Sequence, residues 1–458
     1  MSSNSLIGLS RNQRVFIALE ATAGTLEWPI ATQDYIRPAG NATVNQNPAF
    51  VDSEELSSTL DLLDQFQNAL PAGAWEVPLY VRPSGTVGTR PQGYDLFKSL
   101  QGTIGTSAMT LNGAITISIA TMHVDGLDGT IPHVGVILIG TEKIRYEGIT
   151  QAGASAATLL NLTRGYGSTT ATEHADDVAV TLSSIWFKQS ITQPSLTVWV
   201  ETDHFVQALT GATVNRAVFG VTNEGALKLT CGGQGMRMYW AGTSALTTNA
   251  IAAATQITVV NAKLYSVGMR VYNKTQNLTN TGAGWTILGR NTSTNVVRLD
   301  AAVGVNWATA DLVAGYLPAG TTIGDPIEGR DSTVKLNSVA ASLKSMDLNL
   351  DLPKKYIEDE IGTTAPEDYI EDRRTISSTM ALYFRRADAK YFQEGYDGNE
   401  LPVCLTFGDT AGSTMEIYLP RCILEVPAIN FAPPAVELSM PFRALGTTGE
   451  DSCEILFH

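Results

Sequence analysis

The stretch Leu79-Tyr80-Val81-Arg82 returns, with one change, as Leu382-Tyr383-Phe384-Arg385. Both copies sit in matching surroundings. Each follows an acidic stretch at nearly the same distance: Asp52, Glu54 and Glu55 in the first case, Glu358, Asp359 and Glu360 in the second. Each leads into a short helical signal that a glycine can stop. Tyr94 to Leu100 puts Leu96, Phe97 and Leu100 on one face before Gly102, and Asp388 to Glu394 carries Tyr391 and Phe392 before Gly395. Strand patterns follow in both halves, Ser195 to Glu201 and Ala226 to Trp240 in one, Leu401 to Phe407 and Met415 to Phe442 in the other. Order, spacing and residue type together predict an internal duplication.

Outside the two helices the sequence reads as β almost throughout. Short runs with period-two alternation, such as Val77 to Val81, Val296 to Leu299 and Val436 to Met440, are separated by Gly, Asn, Asp and Thr turns. The expected class is mainly β: two duplicated sandwich or barrel modules with short flanking helices, plus two small inserted all-β domains. The first module is expected over residues 1–108 with 183–242, and the second over 319–458. The first insert, 109–182, carries Ala114-Ile115-Thr116-Ile117 and Gly135 to Tyr146; the second, 243–318, carries Gln256-Ile257-Thr258-Val259 and Trp285 to Gly289. Both enter and leave through Gly, Thr and Ala-rich turns, which predicts placement on the outer surface.

A length of 458 residues exceeds what one core organises, in keeping with several domains. The hydrophobic share, 44%, is that of a folded chain. A net charge of −15 argues against wrapping nucleic acid through phosphate neutralisation, which needs a basic surface. Met1 to Asn12 lacks a charged segment followed by a long apolar one, and no later stretch is apolar for the roughly eighteen residues of a membrane span, so a cytoplasmic site of synthesis is expected. Cys231, Cys404, Cys422 and Cys453 are too widely spaced for a zinc pattern or a secreted disulfide framework, and read as reduced, mostly buried thiols.

Chemistry-bearing motifs are sparse. Glu173-His174-Ala175-Asp176-Asp177 places a histidine among carboxylates, and reads as a solvated polar turn rather than a metal site. Cys231-Gly232-Gly233-Gln234-Gly235 lacks the strand, turn and helix context of a phosphate cradle and reads as a bulge or tight turn. Seven acids, Glu358, Asp359, Glu360, Glu367, Asp368, Glu371 and Asp372, could supply the facing carboxylates of a glycoside hydrolase. They alternate with Lys354, Lys355, Arg373 and Arg374, which suits an exposed arm docking on a partner better than a buried acid pair. No catalytic, cofactor or metal site is expected, and no enzymatic activity.

The C-terminal part, with Leu401-Pro402-Val403 to Phe407, Met415 to Pro420 and Ala435 to Phe442, resembles the tube module of siphophage tail proteins. The opening, Arg14 to Pro38 with Leu19-Glu20-Ala21-Thr22-Ala23-Gly24-Thr25, is similar to the first strand and loop of the same family, and Gly140 to Gly167 is similar to small β modules attached to phage structural proteins. The resemblance implies a major tail tube protein of a long-tailed, non-contractile bacteriophage, made in the host bacterial cytoplasm and located in the virion tail. It implies modules that close into rings, rings that stack into a hollow tube, and a β-barrel lining the lumen through which DNA passes without specific binding. A tape measure protein, a tail terminator and a distal tail protein are the implied partners.

A duplicated chain would need three copies for six modules, giving a trimeric ring with pseudo-sixfold symmetry; a hexameric ring is the alternative. The acidic balance suggests a lumen that repels phosphates. The arms, about Val51 to Asn68 and Pro353 to Arg374, are expected to make contacts between rings through Asp52, Glu54, Glu55, Glu358, Asp359, Glu360, Glu367, Asp368, Glu371, Asp372, Arg373 and Arg374. The competing expectations are a β-modular adhesin or carbohydrate-binding protein, with aromatic platforms for sugars, and a glycan depolymerase.

Overall fold

The computed structural model describes residues 10–458 except 56–60, 62–63, 128–129, 152–154 and 432–434, so most of Met1 to Asn12 and much of the first acidic arm lie outside the described residues. The chain is mainly β, with 47% strand and 7% helix in several antiparallel sheets. Its first half contains β1 (Arg14–Leu19), β2 (Thr43–Asn45), a hairpin of β3 (Phe50–Asp52) and β4 (Gln65–Gln67), β5 (Gly73–Tyr80), α1 (Tyr94–Gln101), β6 (Leu196–Thr202), β7 (Phe205–Thr222), β8 (Lys228–Gly235) and β9 (Arg237–Ala241). The second half contains β10 (Ser332–Leu336), β11 (Ser345–Asp351), a hairpin of β12 (Lys354–Tyr356) and β13 (Tyr369–Glu371), and β14 (Thr375–Tyr383). It continues with α2 (Lys390–Asp397), β15 (Glu400–Phe407), β16 (Met415–Leu424), β17 (Ala428–Asn430), β18 (Glu437–Leu445) and β19 (Glu454–Phe457).

The two halves pair their strands in the same order. In the first, β1 pairs β6, β6 pairs β7, and β7 pairs β9 at one end and β8 at the other; β8 then pairs β5, and β5 pairs β2. In the second, β10, β15, β16, β19, β18, β14 and β11 take those places. Even the irregularities match, since a register shift falls between Leu196 and Val198 against β7 and between Leu401 and Val403 against β16. Each half is thus a two-layer sandwich whose long strand, β7 or β16 with β17, passes from one layer to the other.

Alternation of apolar and polar residues explains the layers. Val77, Leu79, Phe219, Leu229, Leu348, Met380 and Met440 turn inward from one layer onto Val15, Val198, Leu209, Val403 and Leu419 of the other, in one core that runs through both halves. Each such side chain contributes about 1.5–3 kcal/mol. At Gly233 a Cβ would stand 1.9 Å from the Thr213 carbonyl oxygen, so only glycine lets β7 and β8 meet there. The glycine run therefore stays within β8, and the register shift falls on the facing strand between Val214 and Arg216. The second helix also differs from its sequence signal. It begins at Lys390 after a 3-10 turn, passes through Gly395, and stops at Gly398, whose φ of 65° and N–H bond to the Glu394 carbonyl form the C-cap.

Two smaller sheets complete the fold. Seven strands between Ala108 and Leu182 enclose Leu111, Val124, Ile137, Ile144, Tyr146 and Val180. Six strands between Thr243 and Gly315 enclose Val259, Tyr265, Val271, Trp285 and Trp307. The second of these lies between the two halves in sequence and shares its core with Phe16, Trp199, Val206 and Ala208 of the first sandwich. The first is fastened to the second sandwich: Arg145 Nη2 lies 2.5 Å from the buried Glu416, Lys335 pairs with Glu147, and His133 lies 3.0 Å from Glu454 and stacks on Tyr418. The contact is specific, because a buried carboxylate such as Glu416 is stable only with a charged partner brought to it. Among the described residues no sheet closes into a barrel, so the barrel alternative does not hold for a single chain.

The Glu173 to Asp177 segment is the expected solvated turn at Glu173, Ala175, Asp176 and Asp177, all exposed, but not at His174. His174 turns inward, its Nε2 2.8 Å from Glu142, a fully buried carboxylate that Arg164 also holds through two bonds of 2.8 Å. Backbone N–H groups of Gly165 and Thr172 donate to the same carboxylate. Burial pushes Glu142 up, but Arg164 and these donors outweigh it and hold the carboxyl at about 2. Its contribution is therefore complete above the ordinary carboxylate range and lost as the pH falls toward 2. Replacing Glu142 with Gln strands Arg164 in the interior and is expected to destabilise this sheet by about 3 kcal/mol in chemical denaturation; an unchanged unfolding midpoint would contradict the assignment.

Candidate assembly surface

The inner layers of the two sandwiches join edge to edge. The C-terminal part of β7 pairs β8 on one side and β11 on the other, from Arg216↔Asp351 to Thr222↔Ser345. The result is a continuous run in the order β2-β5-β8-β7-β11-β14-β18-β17. One face is the core. The other is open and built largely from short side chains, among them Thr230, Gly232, Gly220, Asn349, Ser377 and Ser439. Charges on it nearly balance, with Glu76, Asp347, Asp351 and Glu437 against Arg216, Lys228 and Arg443. The chain's acidic excess therefore sits elsewhere.

Among the described residues β2 pairs only with β5, and β17 only with β18, so both ends of this run are unpaired there. The strand registers make Ile429 the counterpart of Phe219, because Phe219 faces Leu229 as Ile429 faces Leu438. Phe219 is 0% exposed, in the core beside Phe97 of α1 and next to Leu348 across the seam, whereas Ile429 is 41% exposed. The same asymmetry holds for the helices, since α1 buries Leu96, Phe97 and Leu100 and α2 buries only Tyr391.

The two acidic arms are matched hairpins. Phe50 pairs Gln67 in one and Lys354 pairs Glu371 in the other, the same 17-residue span. Their surroundings differ. The second lies on the chain's own first sandwich, with the Tyr356 hydroxyl 2.7 Å from the Gly211 carbonyl, 3.0 Å from the Gln234 carbonyl and 3.0 Å from Thr213 Oγ1. Tyr369 reaches the Gln193 carbonyl at 3.4 Å, Glu358 accepts the Ala72 N–H at 2.7 Å, and Arg374 binds Glu450 and the Ser190 carbonyl. Burial pulls the Lys354 ammonium down to about 8 despite Glu371 at 3.6 Å. Asp359, Glu360, Glu367, Asp368, Asp372 and Arg373 are exposed, and Asp368 and Asp372 each accept the next residue's N–H.

The first hairpin makes no such contact among the described residues, and every position of its two strands is exposed, with Phe50 at 56%, Val51 at 49% and Phe66 at 56%. Asp52 accepts a bond from Gln65 within the hairpin, and Glu54 and Glu55 are exposed. The acids marked by the sequence thus fall on two arms in different states. Tyr356 and Tyr369, which hold the second arm, were missed, and Lys354 was read only as one of its interleaved charges; the signal of Lys354 and Tyr356 is an alternation three residues long.

Among the described residues no group of three or more His, Cys, Asp or Glu is arranged to hold a metal ion. The four cysteines are free thiols, and burial pushes Cys404 and Cys453 up to about 12. Tyr356→Phe would leave the Gly211 carbonyl, 2.7 Å from the hydroxyl, without its donor, and is expected to cost about 1–3 kcal/mol and to speed proteolysis within 354–371; equal stability and equal cleavage would show that the hydroxyl does not hold the arm. No protein-family model matches this sequence, and no curated protein matches it at a significant level.

Proposed function

We propose that the chain is the structural subunit of a hollow phage tail tube, assembling from identical copies without catalytic activity. The observation that carries this reading is the seam between β7 and β11. It is an interface between two sandwiches of the same strand order, and the chain ends with the two surfaces needed to repeat it: an open β2, counterpart of β11, and an open β17, counterpart of the seam portion of β7. A second copy can therefore add in the same sense. The template sets the register, because Val218↔Asn349, Phe219↔Leu348 and Gly220↔Asp347 become Ala428, Ile429 and Asn430 against Asn45, Val44 and Thr43 of the next copy.

A head-to-tail contact of this kind closes into a ring if the rotation allows, and closure removes the exposed strand edges. Three chains would bring six sandwiches into one barrel. Its inner wall would be the open face of short, nearly charge-balanced side chains, which offers DNA phosphates few cations to bind. This replaces strong repulsion as the reason for free passage. The phage setting, the virion location and the tape measure, terminator and distal tail partners rest on the sequence resemblance.

Negative-stain electron microscopy at rising concentration tests the proposal: hollow tubes or stacked rings with threefold symmetry are expected, and particles of single-chain size at all concentrations contradict it. Ile429→Lys places a charge where the seam would bury it. It is expected to leave the isolated chain's unfolding midpoint within about 0.5 kcal/mol, the range of exposed substitutions, while abolishing tubes; tubes formed normally by this variant would exclude β17 from the contact.

A further inference from the structure

We propose that the first hairpin, β3 with β4, docks on the second sandwich of a neighbouring copy, on a seat formed by Arg421, Ile423 and Arg443. This rests on the assembly reading above and adds to it a second contact between the same two copies. The second hairpin supplies the template within one chain. Where β11 joins the first sandwich at the seam, the hairpin that follows it folds onto the same sandwich and places Tyr356 against Gly211, Thr213 and Gln234. A copy joined through β2 brings its first hairpin to the equivalent place.

The strand registers identify that place residue by residue. Asn45 and Asn349 hold equivalent positions, opposite Ala74 and Ser377, and Asp52 and Tyr356 each lie seven residues further on in hairpins of equal register. Asp52 is thus the counterpart of Tyr356. On the receiving side, Ala212 faces Leu196 as Cys422 faces Leu401, and Thr213 faces Gln234 as Ile423 faces Arg443. The three partners of Tyr356 therefore correspond to Arg421, Ile423 and Arg443.

The substitutions on the two sides are complementary. Where the docked arm carries a phenol and its seat offers carbonyls, the free arm carries a carboxylate and the corresponding seat offers two guanidinium groups. Among the described residues Arg443 pairs with Glu425 alone, at 3.5 Å, with its side chain 68% exposed, and Arg421 binds Glu400 and the Gly446 carbonyl. Phe50 supports the same orientation. It shares a strand face with Asp52, stands at the position of the buried Lys354, and is 56% exposed in the isolated chain.

A charge exchange tests the contact, read as the fraction of protein in assemblies by sedimentation velocity, with circular dichroism to confirm that each variant is folded. Asp52→Arg and Arg443→Asp are each expected to lower the assembled fraction at fixed concentration about tenfold through like-charge repulsion, and the double variant to recover to within about threefold of the parent chain. Asp52→Arg assembling as well as the parent would overturn the docking while leaving self-assembly intact. Two defective single variants with no recovery in the double would contradict the pairing of Asp52 with Arg443. A parent chain that stays single at every concentration would remove both this contact and the assembly reading.

Discussion

The ladder between β7 and β11 is the interaction on which the rest of the architecture depends. A sandwich with a long open edge invites pairing with any other edge, and proteins cover such edges or use them. Here the first sandwich covers one edge with the second. β7 can do this because it is 18 residues long, bends through a register shift, and pairs β6 and β9 with its first part while its last part is free for β8 and β11. The one-core packing of both halves follows from that geometry, since the seam brings Phe219 and Leu348 side by side.

Buried charge does the remaining fastening. The seven-stranded sheet is closed around Glu142, Arg164 and His174, and tied to the second sandwich through Arg145, Glu416, Glu147 and Lys335. Such groups add little stability over well-packed apolar ones, but they penalise any other docking of the sheet, because each misplacement leaves a charge unpaired in the interior. The six-stranded sheet is held by apolar packing on Phe16 and Trp199. The two small sheets therefore have fixed positions, on different sandwiches.

The sequence revealed the β class, the helices and the recurrence around Leu79 and Leu382, since alternation and helix stops are local signals. Reduced thiols were legible from spacing alone. The seam was not, because pairing partners more than a hundred residues apart leave no mark in either strand. The acids of the two arms were visible as charge runs, but their different states depend on Tyr356 meeting Gly211 and Gln234 and on Tyr369 meeting Gln193, contacts between distant segments. His174 departs from its otherwise solvated turn for the same reason: its carboxylate partner is Glu142, on another strand.

What joins these findings is that the chain contains one worked example of its own proposed interface and two unused surfaces that match it. Hydrogen exchange read by mass spectrometry, comparing dilute chain with concentrated assemblies, tests that claim most directly. The account predicts slowed exchange at Thr43–Asn45 and Ala428–Asn430 on assembly, with the seam peptides around Arg216–Thr222 and Ser345–Asp351 protected in both states. Assemblies in which the two edge segments exchange as fast as in the dilute chain would contradict it.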